Sequence, residues 1–380
     1  MMVKDDLNYE TRESMAVDAI MKNIYSNSSS SSRLVKNKTF FANLYENSLF
    51  PDYYSFSTAD GVGSKLIIAS IMHKFDTIGI DLVAMNANDA ATLGKIMPDM
   101  FMNIISCQDK IQEEQITGDI IKGIIAGVDD CDVSQIIEGA PRLVIGKGET
   151  ASMQDLISGP RFGYGFDVTA AMNGYIKKSD VPEFNPKPGD VIIGVKSSGL
   201  HSNGYTSVRY KLLNGKFEPR PEFKKLYTGD HDIDENFNGI SLGEELLKPT
   251  KLYVKLMAKV AADFPGTFGV NITGYGLKNF NRIGKNIKYS ISDQIEPQQI
   301  FELLQKDGKF SQEQMYEKFN MGMGFAIVCK KEQADGILKI AKSMKYDAKI
   351  VGFVLENKNA EKIVTELNIN DKKIIYKGYG

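Results

Sequence analysis

Between Lys196 and Tyr205 the chain reads KSSGLHSNGY, and the side chains there could do more chemistry than those of any other stretch of the 380 residues. Ser197, Ser198, Ser202 and Asn203 offer hydrogen-bonding groups, and His201 is one of only three histidines. Gly199 and Gly204 let backbone N–H groups approach a ligand, and a helix starting after Gly204 favours an anion at its N-terminus. An oxygen-rich, phosphate-bearing ligand suits such a loop. Ser, Asn and Gly also build ordinary strand-to-helix turns; the histidine set among paired serines favours a site.

Other segments add charge. In STADGVGSKL, Asp60 could bind Mg²⁺, Gly61 and Gly63 relax the backbone, and Lys65 could meet a phosphate; the GxxxxGK[ST] pattern of a P-loop is absent. The segment IGIDLVAMNANDA holds Asp81 and Asp89, with Asn86 and Asn88 between them. Several carboxylates beside phosphates are what Mg²⁺ needs, since it takes oxygen ligands and keeps some waters. The alanine-rich residues downstream place Asp89 at the start of a helix, where capping is the competing explanation. In GKGETASM, Glu149 and Thr150 follow an apolar run and sit where α/β proteins place ligands; a Glu in a first helical turn is the rival. NITGYGL and FNMGMGF are glycine-rich turns beside apolar runs. His73 and His231, in polar surroundings without partner spacing, are expected at the surface.

The elements that must position these residues follow from periodicity. Residues 191–195 read as a buried strand after a Pro-Gly-Asp turn, and residues 205–213 as a helix. Strands are expected at 78–80, 143–145, 168–175, 324–329 and 349–354. Helices are expected over 12–24, over the isoleucine-rich stretch from Ile120 to Val128, from a Thr250 cap to Phe264, and over 332–344. The run Ser26–Ser32 reads as a mobile loop. Prolines 182, 186 and 188 mark residues 177–190 as a linker, dividing the chain into residues 1–178 and 179–380, two α/β domains of similar size.

Composition narrows the function classes. With 46 basic and 48 acidic residues the net charge is −2, which gives no case for nucleic-acid or membrane attraction. No apolar stretch is long enough to span a bilayer. The first residues, MMVKDDLNYE, lack the apolar core of a signal peptide. Cys107, Cys131 and Cys329 share no close spacing, so buried thiols in a reducing cytoplasm are expected rather than disulfides or zinc.

Taken in order, LNYETRES, ADGVGSKL, DTIGIDLVAMNAND, GET, PGDVIIGVKSSGLHSNGYTSVR, LLKPTKLYVK, NITGYGL and MYEKFNMGMG resemble one family from residue 7 to about residue 354. It is aminoimidazole ribonucleotide synthetase, or phosphoribosylformylglycinamidine cyclo-ligase, of purine biosynthesis. The resemblance implies a two-domain α/β fold, a homodimer joined by N-terminal-domain strands in a barrel, and ATP with Mg²⁺ in a cleft at the interface. It implies metal and nucleotide contacts from Asp60, Asp81, Asp89 and Glu149, with Lys65, Asn88 and Thr150 on the nucleotide. It places Ser197, Ser198, His201 and Asn203 against formylglycinamidine ribonucleotide, with Thr273, Gly274 and Asn320 completing the pocket. His201 would hydrogen-bond the reacting centre or shuttle a proton.

The chain departs from the family pattern at three places. Residues 94–98 read GKIMP where the family has GAxP, residues 146–153 read GKGETASM, and residues 36–51 are bulky and aromatic instead of glycine-rich. Lys95 and Lys147 could neutralise phosphate charge there. Other ATP-using relatives (thiamine-monophosphate kinase, selenophosphate synthetase, a hydrogenase maturation factor) and a nucleotide-binding paralogue are the alternatives.

Overall fold

The structure is a computed structural model that describes residues 41–357, 363–370 and 372–377, together with residues 15, 19–20, 22–24, 26–27 and 32–35. The helix expected over 12–24 and the serine run thus fall largely outside the described residues. The front half runs β1 (Asn43–Glu46), β2 (Tyr53–Gly61), α1 (Lys65–Met72), α2 (Ile78–Ala91), β3 (Met97–Cys107), α3 (Asp109–Glu113), α4 (Ile116–Asp130), β4 (Val144–Ser152) and β5 (Phe166–Lys177). Its five strands form one sheet in the order β1-β2-β5-β3-β4, antiparallel except for β3 beside β4.

Alternation assigns the faces of this sheet. In β5, Phe166, Val168, Ala170, Met172 and Ile176 point inward, while Asp167, Thr169 and Lys177 are exposed. Helices α2 and α4 cover the inner face. On the outer face Ile104 and Val144 are each 47% exposed. The strand expected at Ile78-Gly79-Ile80 is instead the first turn of α2. This helix is apolar nearly all round, and a short apolar run does not distinguish a buried helix from a buried strand. Gly79 is what lets α2 and α4 cross closely: a Cβ there would lie 2.2 Å from the Ile120 carbonyl oxygen.

After a short 3₁₀ turn, Lys178–Asp180, and an irregular stretch, the back half continues. It contains β6 (Val191–Lys196), α5 (Tyr205–Lys211), the small pair β7 (Asn236–Phe237) and β8 (Ile240–Ser241), α6 (Leu242–Leu246), α7 (Val254–Asp263), β9 (Phe268–Asn271) and β10 (Ile287–Ile291). Then come α8 (Gln299–Asp307), α9 (Gln312–Lys318), β11 (Met323–Cys329), α10 (Ala334–Ser343), β12 (Ala348–Glu356), β13 (Val364–Ile369) and β14 (Lys372–Lys377). A seven-stranded sheet in the order β14-β13-β10-β12-β6-β11-β9 is antiparallel except where β10 meets β13.

The apolar run Val191–Val195 is buried throughout because β6 lies in the interior of that sheet. The expected strands at 143–145, 168–175, 324–329 and 349–354 and the helices near 120–128 and 332–344 are present, with shifted ends. The helix expected to 213 ends at Lys211. All three cysteines are buried and free. Among the described residues no helix is long and apolar enough to cross a membrane.

Candidate active site at the seam of the two halves

The C-terminal ends of β6 and β9 and the N-terminal end of β11 lie at one edge of the second sheet, because β11 runs antiparallel to both neighbours. The loops they feed, residues 197–204, 271–274 and 320–322, converge there against α2. Ser64 joins this edge through a 3.2 Å contact between its hydroxyl and that of Thr206, which brings the DGVGSK segment beside the histidine loop.

Behind the loops lies a buried charged hub. Lys65 and Asp81 are both fully buried, with the ammonium 2.8 and 2.9 Å from the two carboxylate oxygens. Lys65 also donates to the Lys248 carbonyl at 2.7 Å. Asp81 accepts from the Thr250 backbone N–H (2.7 Å), the Thr250 hydroxyl (2.6 Å) and the Ser202 hydroxyl (3.2 Å). Burial lowers the Lys65 pKa, and the Asp81 charge opposes that shift. A buried charge of either sign is tolerated only when paired and hydrogen-bonded, so these groups satisfy each other. Thr250 is therefore not the helix cap expected of it: Tyr253 precedes α7, and Thr250 spends both its donors on Asp81.

Helix α2 presents Asn88 and Asp89 to the back half from its last turn, not from a helix start as expected. Asn88 is buried and clasps the chain beyond the hub, donating to the Lys251 carbonyl and accepting from the Tyr253 N–H, both at 2.9 Å. Asp89 is partly buried and accepts from the Asn271 amide at 2.7 Å. Burial raises its pKa to about 7; the Asn271 hydrogen bond works against this, and the neighbouring charge of Asp60 adds to it. Asp60 is exposed at the end of β2. Two carboxylates close enough to repel suit a divalent cation that takes one or two carboxylates and completes its shell with phosphate and water.

His201 occupies the left-handed region at φ 60°, uncommon for a residue with a side chain and a mark of a held conformation. The Ser198 N–H donates to its Nε2 at 3.2 Å, which leaves the ring proton on Nδ1. Burial lowers its pKa to about 3, with Lys65 and Lys251 adding to the effect. The ring is thus neutral at pH 7. It rests on Gly324, where a Cβ would lie 2.4 Å from His201 Cε1 and 2.2 Å from the Tyr253 hydroxyl oxygen. The Ser198 hydroxyl is held by the Pro249 carbonyl at 2.5 Å. Ser197 Oγ lies 3.0 Å from Asn320 Oδ1, while the Asn320 amide donates to the Gly199 carbonyl at 2.8 Å. Asn203 Oδ1 faces Gly274, 3.6 Å from where a Cβ would stand, and Thr273 precedes that glycine in the same turn.

The expected carboxylates are not all brought together. Among the described residues no three His, Cys, Asp or Glu side chains gather as a metal cage. Asp60 and Asp89 are neighbours, but Asp81 is enclosed with Lys65. Glu149 and Thr150 lie exposed within edge strand β4 rather than at its end. Following the register from Asp60 through Ala170 and Asn103 to Gly148 puts Glu149 about 14 Å from Asp60, three strand spacings away. The lysines at the divergent segments are paired, Lys147 with Glu149 at 3.2 Å and Lys95 with Asp180 at 3.1 Å. His231, expected at the surface without partners, is 19% exposed and bonded to two carboxylates. His73 is exposed, as expected.

Sequence reasoning missed Asn271 and Thr250 as partners of the two α2 aspartates, and Arg282, whose charge also reaches Asp89. Asn271 opens the NITGYGL motif and was signalled only as part of a turn. Thr250 was legible as polar but not as facing a helix 169 residues away.

Comparison with known proteins narrows the class first. A chain in the crystal structure of a HypE–HypF complex superposes with a TM-score of 0.57 at 14% identity, covering 95% of this chain and 98% of that one. AaThiL complexed with AMPPCP and TMP gives 0.55 at 12% identity, covering 96% of each chain. These likenesses define a shared two-sheet fold. Family models described as AIR synthase related protein match residues 47–140 for the N-terminal domain and 187–364 for the C-terminal domain. The Methanocaldococcus jannaschii protein named phosphoribosylformylglycinamidine cyclo-ligase is 34% identical over 336 residues, 86% of each chain. That of Methanosarcina acetivorans is 34% identical over 310 residues, covering 81% of this chain and 82% of its own. The chain belongs to the phosphoribosylformylglycinamidine cyclo-ligase family.

Proposed function

We propose that the protein closes the imidazole ring of formylglycinamidine ribonucleotide at the expense of ATP, giving 5-aminoimidazole ribonucleotide, ADP and phosphate. The observation that carries this reading is the approach of Asp89, from the front half, and the His201 loop, from the back half, to the same strand ends. Asn271 binds Asp89, the next residue's N–H binds the Gly324 carbonyl at 3.2 Å, and Gly324 carries the His201 ring. One cavity at this seam would hold a triphosphate and a sugar phosphate side by side.

The reaction moves the γ-phosphoryl group of ATP to the formamide oxygen, with ADP leaving. An amidine nitrogen then attacks that carbon, and phosphate departs with the former formamide oxygen. Such chemistry asks for positioning and charge neutralisation rather than a nucleophilic side chain. Asp60 and Asp89 would hold Mg²⁺, which when bound neutralises phosphate charge. Lys65 and Asp81, expected on the nucleotide and the metal, are enclosed with each other and serve as the support behind the loop. His201, neutral and protonated on Nδ1, donates a hydrogen bond to the substrate and does not deliver a proton as an imidazolium. Ser197, Ser198, Asn203, Thr273, Gly274 and Asn320 line the ribonucleotide side.

The outer face of the first sheet, with Ile104 and Val144, is where we place a homodimer contact. A second copy joined there would bring Glu149 and Thr150 into the reach that a single subunit denies them. The two domains divide at residues 178 and 179.

The test is to supply purified protein with Mg²⁺–ATP and formylglycinamidine ribonucleotide and to follow ADP and aminoimidazole product. ADP release that depends on this substrate is expected, with His201→Ala and Asp89→Asn each slowing turnover roughly 100-fold or more. ADP release only with thiamine monophosphate or selenide, or none with any of these, would overturn the reading.

A further inference from the structure

Helix α8 touches the candidate site at one end and a doubly bound histidine at the other. At its start, the Gln298 side-chain amide donates to the Ser197 carbonyl at 2.6 Å and lies 3.3 Å from the Ser197 hydroxyl. Nine residues on, at its C-terminus, Asp307 Oδ2 lies 2.9 Å from His231 Nε2. The other ring nitrogen, Nδ1, is 2.6 Å from Glu235 Oε1. The backbone of His231 is bonded to the end of α5, its N–H to the Leu212 carbonyl at 2.9 Å and its carbonyl to the Asn214 N–H at 2.8 Å. Helix α5 is the one that begins directly after the His201 loop. The same excursion also grips the start of α8, where the Asn238 amide donates to the Gln299 side chain.

We propose that α8 is a strut that positions the substrate loop, with Gln298 and His231 as positioning residues at its two ends. The inference rests on the assignment of Ser197 to the ribonucleotide side. Ile300, Phe301 and Leu304 bury one face of α8 and fix it sideways. Its placement along the axis, about 13 Å from end to end, is then left to the polar contacts at its termini. The carboxylate of Asp307 at a helix C-terminus faces the negative end of the dipole and needs a cation beside it. An imidazole has two N–H groups to give to two carboxylates only when it is protonated; the neutral ring turns a lone pair towards one of them. Asp232, whose N–H binds Glu235 at 3.0 Å, and Lys216, 3.7 Å from Asp232, are the other charges facing this cluster. Burial resists the charge on His231, but its hydrogen bonds to Glu235 and Asp307 raise the pKa above the ordinary value. Below that pKa the ring bonds both carboxylates; as pH rises through it one of the two hydrogen bonds is lost, and the tie between Glu235 and Asp307 through the ring goes with it.

The experiment uses the full chain between pH 6 and 9. Imidazole NMR is expected to show His231 titrating above a free histidine. KM for formylglycinamidine ribonucleotide is expected to rise roughly fivefold across that titration, the equivalent of one hydrogen bond, with kcat nearly constant. His231→Gln should fix KM at the high value at all pH, and Gln298→Ala should raise KM without moving the His231 titration. A KM that stays flat with pH in the parent, or a parental KM in His231→Gln, would overturn the proposal. If the parent has no ring-closing activity, the functional reading fails by itself and amide exchange decides the strut. Protection of the Ser197 and Ser198 amides, corrected for intrinsic rates, should then fall across the His231 titration in the parent and be constant in His231→Gln; equal protection throughout would overturn it.

Discussion

At the residue scale, the aspartate pair at the seam has an energetic signature that can be measured without substrate. Asp89 has a folded-state pKa of about 7, above its ordinary value. Between the ordinary carboxylate pKa and 7 the folded chain therefore holds more protons than the unfolded one, and stability falls as pH rises through that window. Above pH 7 the full penalty remains. Asp89→Asn keeps the Asn271 neighbour and removes the charge, so the variant should gain about 1–3 kcal/mol over the parent above pH 7 and nothing at pH 4. Melting curves against pH check this, and added Mg²⁺ should raise the parent's melting temperature more than the variant's. A site whose function needs charge has kept it at a cost in stability.

At the scale of elements, α1, α2 and the segment 248–253 are locked by the Lys65–Asp81 hub. Lys65→Met leaves a buried carboxylate with its hydrogen-bond donors but no countercharge, which should cost roughly 3–5 kcal/mol. Adding Asp81→Leu removes the orphaned charge but strands the buried Thr250 and Ser202 donors, so the double variant should recover only part of the loss in denaturant unfolding. If Lys65 served only as a surface phosphate contact, neither effect would be seen. Ser202, which neighbours His201, donates to the same Asp81 oxygen that binds Lys65 and Thr250. The double variant should therefore fold and still show a weakened KM for the ribonucleotide.

At the scale of the whole molecule, the outer face of the first sheet carries exposed apolar residues, whereas helices α2 and α4 cover the opposite face. Ile104→Glu on that face should leave the monomer fold intact, because the side chain is 47% exposed and leaves the inner core untouched. If the homodimer forms there, sedimentation should show monomers at concentrations where the parent is a dimer, and turnover should fall with dimer content. Persistence of the dimer in this variant would move the interface elsewhere.

Much was legible in the sequence because it is written locally. The run Val191–Val195 fixes a buried strand by its own composition, and the serine, glycine and histidine pattern after it fixes a ligand loop at that strand's end. The family motifs followed from the order of such strings. Other features depended on distant partners. Ile78-Gly79-Ile80 lies in a helix because Gly79 packs against α4, and an apolar triplet alone has no periodicity to show it. Asp81 and Asp89 are eight residues apart and chemically alike, yet one is enclosed by Lys65 and Thr250 while burial, with Asp60 nearby, raises the other towards neutrality. Only the tertiary structure separates their roles, since a carboxylate's charge is set by its solvation and by neighbours brought from far along the chain. The same holds for His231, polar in its local surroundings but gripped by Asp307 across 76 residues.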